Sequence, residues 1–293
     1  YTWKYQVELD DNSSGATTSD DTRLEVTTPY GVIAAYNTEG GLSTKYKFSQ
    51  AAYGAGSDNG AGGNMQYGAA IDGYNNIQYH TPAGLLPFKI VGKVGYSPSS
   101  DAGKNSGNST GSTDGAKNGD NVIQYQITAE PADGITLGAS YLDKDAKGTV
   151  QGYETGGYFG TYTVGAFSFG AGQHFVANYS NGLTDHEPST TLNTAALLAT
   201  VKSYENKAAS IGYAFNDNIS LSFEREYSTA NKRSAQLDGI DHDNGVTLEI
   251  ETAQAAYTMG GMTMSLSRKA LENVDYTAHK SANETLFAVA MAF

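Results

Sequence analysis

The 293-residue sequence contains no cysteine, which excludes disulfides, thiolate nucleophiles and cysteine-ligated metals. That absence also suits export through an oxidising compartment. No run approaches the 18 or so apolar residues that a membrane helix needs, and the mean hydropathy is −0.42. Basic residues are scarce, 18 against 31 acidic ones, giving a net charge of −13. This balance argues against a nucleic-acid partner. It suits a chain that stays soluble before membrane insertion or a pore that favours cations, and reads equally as plain solubility. Prolines number 6 and tryptophans 1, against 35 glycines, 21 tyrosines and 10 phenylalanines. Low hydropathy does not exclude a membrane protein built of strands, because barrel strands give half their residues to a polar lumen.

What the sequence does have is a period of two. Tyr1, Trp3, Tyr5, Val7 and Leu9 alternate with Thr2, Lys4, Gln6 and Glu8, the pattern of a half-buried strand. The last residues repeat it, with Phe287, Val289, Met291 and Phe293 on one face and mostly alanine on the other. A free apolar strand end frays and its edge invites aggregation; a closed barrel pairs the last strand with the first. About fourteen strands are predicted. Tight turns, such as Pro29-Tyr30-Gly31, Pro82-Ala83-Gly84 and Asn216-Asp217-Asn218, alternate with long polar loops at 10–21, 39–74, 97–120, 143–152, 180–203, 228–246 and 272–283. Short periplasmic turns alternating with longer extracellular loops are the signature of an outer-membrane barrel. The expectation is therefore one all-β domain over 1–293, a transmembrane antiparallel up-and-down β-barrel. The sole helical expectation is a turn within 192–201.

A pore selects by diameter and by the charged side chains at its narrowest point. The candidate constriction is loop 39–74, with Glu39, Lys45, Lys47, Asp58 and Asp72. Its glycines permit tight folding inside a barrel, and Tyr46, Phe48, Tyr53 and Tyr67 offer anchors to the wall. The same residues also read as an exposed surface loop. Strand parity puts Lys4, Glu8, Arg23, Glu25, Lys89 and Lys93 on polar faces, either as a pore wall or as solvated residues of no special role. An acidic loop against a basic wall would set a transverse field across the opening. Strand aromatics such as Trp3, Tyr96, Tyr141 and Tyr257 read as interface girdles or as ordinary core residues. No enzyme is expected, since no nucleophile–base pair is visible, His174 included. No metal site or cofactor is expected beyond calcium. Asp185-His186-Glu187 and Asp241-His242-Asp243 carry ligand types for such a cation, but read first as solvated loops.

In these features the chain resembles the general porins of Gram-negative outer membranes, a trimeric family, and especially the alphaproteobacterial type. The strand ending on Phe293, the alternating connections and the tyrosine-rich strands carry the resemblance. So does Thr22 to Gly41, where a strand, the Pro29-Tyr30-Gly31 turn, a returning strand and Glu39-Gly40-Gly41 follow one another. The resemblance implies sixteen strands, with a hairpin before Tyr1, and a homotrimer with its third loop folded into the pore. It implies that Phe293 is a signal read by the barrel-assembly machinery, and that the partners are outer-membrane lipid and lipopolysaccharide. It implies passive diffusion of ions and small hydrophilic solutes. One alternative is a substrate-specific outer-membrane channel, although neither an aromatic slide nor a dense basic ladder is visible. Another is a secreted or surface β-sandwich binding protein, which needs two inner faces and a Greek-key order.

Overall fold

A computed structural model describes residues 1–11, 17–37, 40, 42, 47–52, 65, 70–98, 119–146, 153–177, 201–232 and 245–291. Fourteen strands lie in it. They are β1 (Thr2–Asp11), β2 (Thr17–Thr28), β3 (Gly31–Asn37), β4 (Asn76–His80), β5 (Val91–Ser97), β6 (Gly119–Ala129) and β7 (Ile135–Ala146), followed by β8 (Tyr153–Val164), β9 (Phe167–Ala177), β10 (Val201–Ala214), β11 (Ile219–Lys232), β12 (Val246–Met259), β13 (Met262–Glu272) and β14 (Ser281–Met291). They form one antiparallel sheet in chain order, each strand paired to the next. A meander of this kind in one sheet overturns the sandwich alternative, which requires two sheets. The fourteen described strands are the number expected within this sequence, and among the described residues β1 and β14 are not paired with each other.

Two adjacent rows across the strands show why this sequence makes a wall with unlike faces. Trp3, Val26, Ile33, Tyr79, Val94 and Tyr125 are register partners in succession. They point outward, with Trp3 75% and Ile33 55% exposed. The next row is Lys4, Glu25, Ala34, Gln78, Gly95 and Gln124, and from Ala34 onward it is buried inside. A one-residue slip would exchange the rows, so the pattern fixes the register. Ser220, Ser222, Glu224, Glu226 and Ser228 continue the inner face on β11, against Leu221 and Phe223 outside.

The outer face is apolar near the turns and charged higher up on β11 and β12. There Arg225 pairs with Glu249 at 3.5 Å and Glu251 at 3.1 Å, and lies over the Tyr227 ring at 5.1 Å. Several strands run further than the alternation predicts: β2 begins at Thr17, β7 reaches Ala146 and β11 reaches Lys232. These extensions, Thr17–Asp21, Asp143–Ala146 and Thr229–Lys232, are mostly polar in sequence, so the pairing continues where the hydrophobic period has vanished. Residues 192–200 of the expected helical turn lie outside the described residues, and Val201 opens β10.

The connection between β4 and β5 departs from expectation. It spans 81–90 and contains a 3-10 turn, Pro87–Lys89, whose Phe88 and Lys89 have left-handed φ of 57° and 48°. Phe88 is therefore a turn residue rather than the start of a strand. The β2–β3 turn needs glycine. Gly31 has φ 126°, and a methyl there would overlap the His80 carbonyl oxygen. Gly31→Ala is expected to cost about 1–3 kcal/mol of unfolding free energy, measured by urea titration; an unshifted midpoint would contradict the turn geometry.

Candidate pore constriction

The chain leaves β3 and turns into the interior. Gly40 sits against Gln78 and Tyr36, where a Cβ would collide with the Gln78 amide. Leu42 is fully buried among Val122, Leu142, Val176 and Tyr204. Segment 47–52 then lies across the far wall. Phe48 is buried beside Met65, Leu248 and Ile250, and its carbonyl oxygen occupies the space a Gly170 side chain would need. The Gln50 N–H donates to Ser210 Oγ at 2.9 Å and the Ala52 N–H to Ser222 Oγ at 2.8 Å. Ser49 Oγ donates to Glu224. These partners sit on β9, β10 and β11, and Ser222 and Glu224 are the fourth and sixth of fourteen residues in β11. The segment is thus held roughly halfway up the wall. The return is clamped on β5 and β6: the Ile71 N–H donates to Gln124 Oε1 at 2.7 Å, and Ile71 fills the space beside Gly95.

A second segment folds inward from the β13–β14 connection. Val274 is buried against Leu248, Ile250 and Leu271, and the Tyr276 ring meets that of Tyr204 at 5.2 Å. Tyr276 Oη lies 2.6 Å from Ser228 Oγ, which donates to Asn206 Oδ1 at 2.5 Å. Asn206 Nδ2 lies 3.2 Å from His174 Nδ1, and His174 Nε2 lies 3.1 Å from Thr155 Oγ1. This chain of contacts suits a neutral imidazole, with Nδ1 accepting from Asn206 and Nε2–H donating to Thr155. His174 is therefore a structural tie between four strands and the inward segment, built from hydrogen bonds that burial makes obligatory.

The predicted site residues fall in different places. Lys4, Arg23, Glu25 and Lys93 stand on the inward parity of β1, β2 and β5. Arg23 Nη2 donates to Gln6, and Tyr36 Oη donates to Glu25 at 3.0 Å. Glu8 belongs to β1. Lys47 is exposed on the inserted segment, and Asp72 is half-buried in the 3-10 turn Ile71–Gly73. Lys89 is not on a strand at all. It is in the turn, exposed, and 2.5 Å from Glu130; the Glu130 carboxylate holds the Lys89 ammonium above the usual lysine range. Parity failed there because the turn runs seven residues longer than its Pro82-Ala83-Gly84 opening. Glu39, Lys45, Asp58, Phe293 and both acidic-histidine loop motifs lie outside the described residues. Of the strand aromatics, Tyr141 lies 6.5 Å from Phe175, ring to ring, on the outer face.

The expectation of an acidic loop meets a different arrangement where it is described. The charged residue of 47–52 is a lysine, and the nearby buried carboxylates, Glu224 under Ser49 and Glu226 two residues on, belong to the wall and are 2% and 0% exposed. Sequence reasoning missed both, although the Ser220–Ser228 alternation marks them as inward. It missed Ser210, Ser222 and Gly170 because nothing local distinguishes them from other small strand residues.

The sequence matches no family profile and no curated protein. Its fold does match solved structures. An anion-selective porin from Comamonas acidovorans aligns with TM-score 0.58 at 10% identity, over 99% of this chain and 84% of that one. The in-vitro folded OmpT of Vibrio cholerae, an outer membrane protein in a trimer form, aligns with TM-score 0.50 at 12% identity, over 98% and 84%. The outer membrane channel DcaP of Acinetobacter baumannii aligns with TM-score 0.50 at 13% identity, over 98% and 93%. The chain has the fold of Gram-negative outer-membrane β-barrels.

Proposed function

We propose that this chain is an outer-membrane porin, a water-filled channel for passive diffusion of ions and small hydrophilic solutes. The observation that carries the reading is the inward placement of Leu42, residues 47–52 and Ile71. Inside a wall whose outer face is apolar, segment 47–52 crosses to β9–β11 and is bonded there about halfway up. A loop held at that height narrows the lumen without filling it, which is how a diffusion pore sets its cut-off. Loop 39–74 is accordingly the constriction, with Lys47 and Asp72 among its charges and Glu39, Lys45 and Asp58 completing the set. Lys4, Glu8, Arg23, Glu25 and Lys93 form the facing wall.

The finer proposals follow from the same reading. The protein is a homotrimer of the alphaproteobacterial type, in a ring of sixteen strands, surrounded by outer-membrane lipid and lipopolysaccharide. Phe293 is the residue the barrel-assembly machinery reads. The outward apolar rows and the porin-like fold support a place in the Gram-negative outer membrane. Planar-bilayer recording of the purified protein is expected to give stable conductance steps, grouped in threes, and detergent extracts are expected to run as a heat-modifiable oligomer. A monomer that is soluble without detergent and silent in bilayers would contradict both.

A further inference from the structure

The whole chain carries −13, yet among the described residues the wholly or partly exposed charges on the β1–β5 side of the lumen are mainly positive. We infer that the channel passes small anions, such as chloride, phosphate and short carboxylates, in preference to cations; this rests on the channel reading above.

The argument is a sorting of charges by face and by cover. On the outer parity, Arg225, Glu249 and Glu251 neutralise one another away from the lumen. On the inner parity of β11, Glu224 and Glu226 lie behind the inserted segment and the apolar cluster around Phe48. A carboxylate under such cover contributes little to the field a passing ion meets. Lys269 of β13 is also covered, and its register partner on β14 is the half-exposed Glu284. What remains on the β1–β5 side is Lys4, Arg23 and Lys93 on the wall, and the exposed Lys47 on the segment, near enough to Lys93 to act on it. Of the carboxylates on this side, Glu25 already accepts from Tyr36 and Asp72 is half-buried in its 3-10 turn, while Glu8 lies near the far end of β1.

Lys47 and Lys93 act on one another electrostatically, as do Lys93 and Glu25, and Lys93 acts in turn on His80, its register partner. The inserted loop therefore presents a cation toward a mainly cationic wall. Opposed cations across a narrow opening raise the local anion concentration and repel cations. The effect is strongest in dilute salt, because at physiological ionic strength screening acts over about 8 Å.

The test is the zero-current potential of the full chain in a planar bilayer under a potassium chloride gradient. The sign expected is that of anion preference, growing as the salt is diluted. The triple variant Arg23→Gln, Lys47→Gln, Lys93→Gln, checked for a heat-modifiable fold, is expected to bring the anion-to-cation permeability ratio down through unity. Arg225→Gln, outside the lumen, is expected to leave it unchanged. Conductance steps with cation preference in the unaltered protein, or a triple variant with an unaltered ratio, would overturn the anion assignment alone. Absence of any steps would overturn the channel reading on which it stands.

Discussion

Gly170→Val is expected to raise single-channel conductance by a factor of roughly two or more, because conductance follows the narrowest cross-section of a pore. Gly170 lies on β9, where valine suits a strand, so the wall itself has no reason to fail. The space its side chain would enter holds the Phe48 carbonyl. Gly212 gives the same protection on β10, where a Cβ would come within 2.7 Å of the Gln50 carbonyl oxygen. With valine present, segment 47–52 loses its seat, and its bonds to Ser210 and Ser222 lengthen beyond hydrogen-bonding reach. Unaltered conductance in a properly folded Gly170→Val protein would place the narrowest point elsewhere.

The second large effect concerns the outer face. Leu266 on β13 is 50% exposed, between its outward register partners Ala255 and Phe287. If that face meets acyl chains, Leu266→Arg costs about 2–4 kcal/mol near the bilayer midplane. On a water-facing surface the same change falls within about 0.5 kcal/mol of neutral. Urea unfolding from lipid vesicles separates the two. An unshifted midpoint would mean that Leu266 does not face hydrocarbon.

Much of the wall was legible because strand parity is a local property. Trp3 and Lys4 declare opposite faces by adjacency, and the register carries that distinction from strand to strand. The strand ends were less legible, since above the apolar band Thr229 and Thr247 pair on the outer face with no hydrophobic contrast to mark them. Lys89 was misplaced because Phe88 looks like the first apolar residue of a strand, when left-handed residues keep it in the turn. The seat of segment 47–52 was not legible at all. Ser49 and Glu224 are 175 residues apart, and no local pattern says which serine of an inner face will receive a loop. That contact also underlies the inferred ion preference: net charge counts Glu224 and Glu226, which are 2% and 0% exposed, alongside the exposed Lys47.

The most direct test of the central claim is solute uptake into liposomes that carry the purified protein, followed by osmotic swelling with sugars of increasing size. An aqueous channel narrowed by segment 47–52 predicts rapid swelling with the smallest sugars, a steep decline with solute size, and a cut-off that moves upward in Gly170→Val. Swelling no faster than in protein-free liposomes would contradict the channel itself.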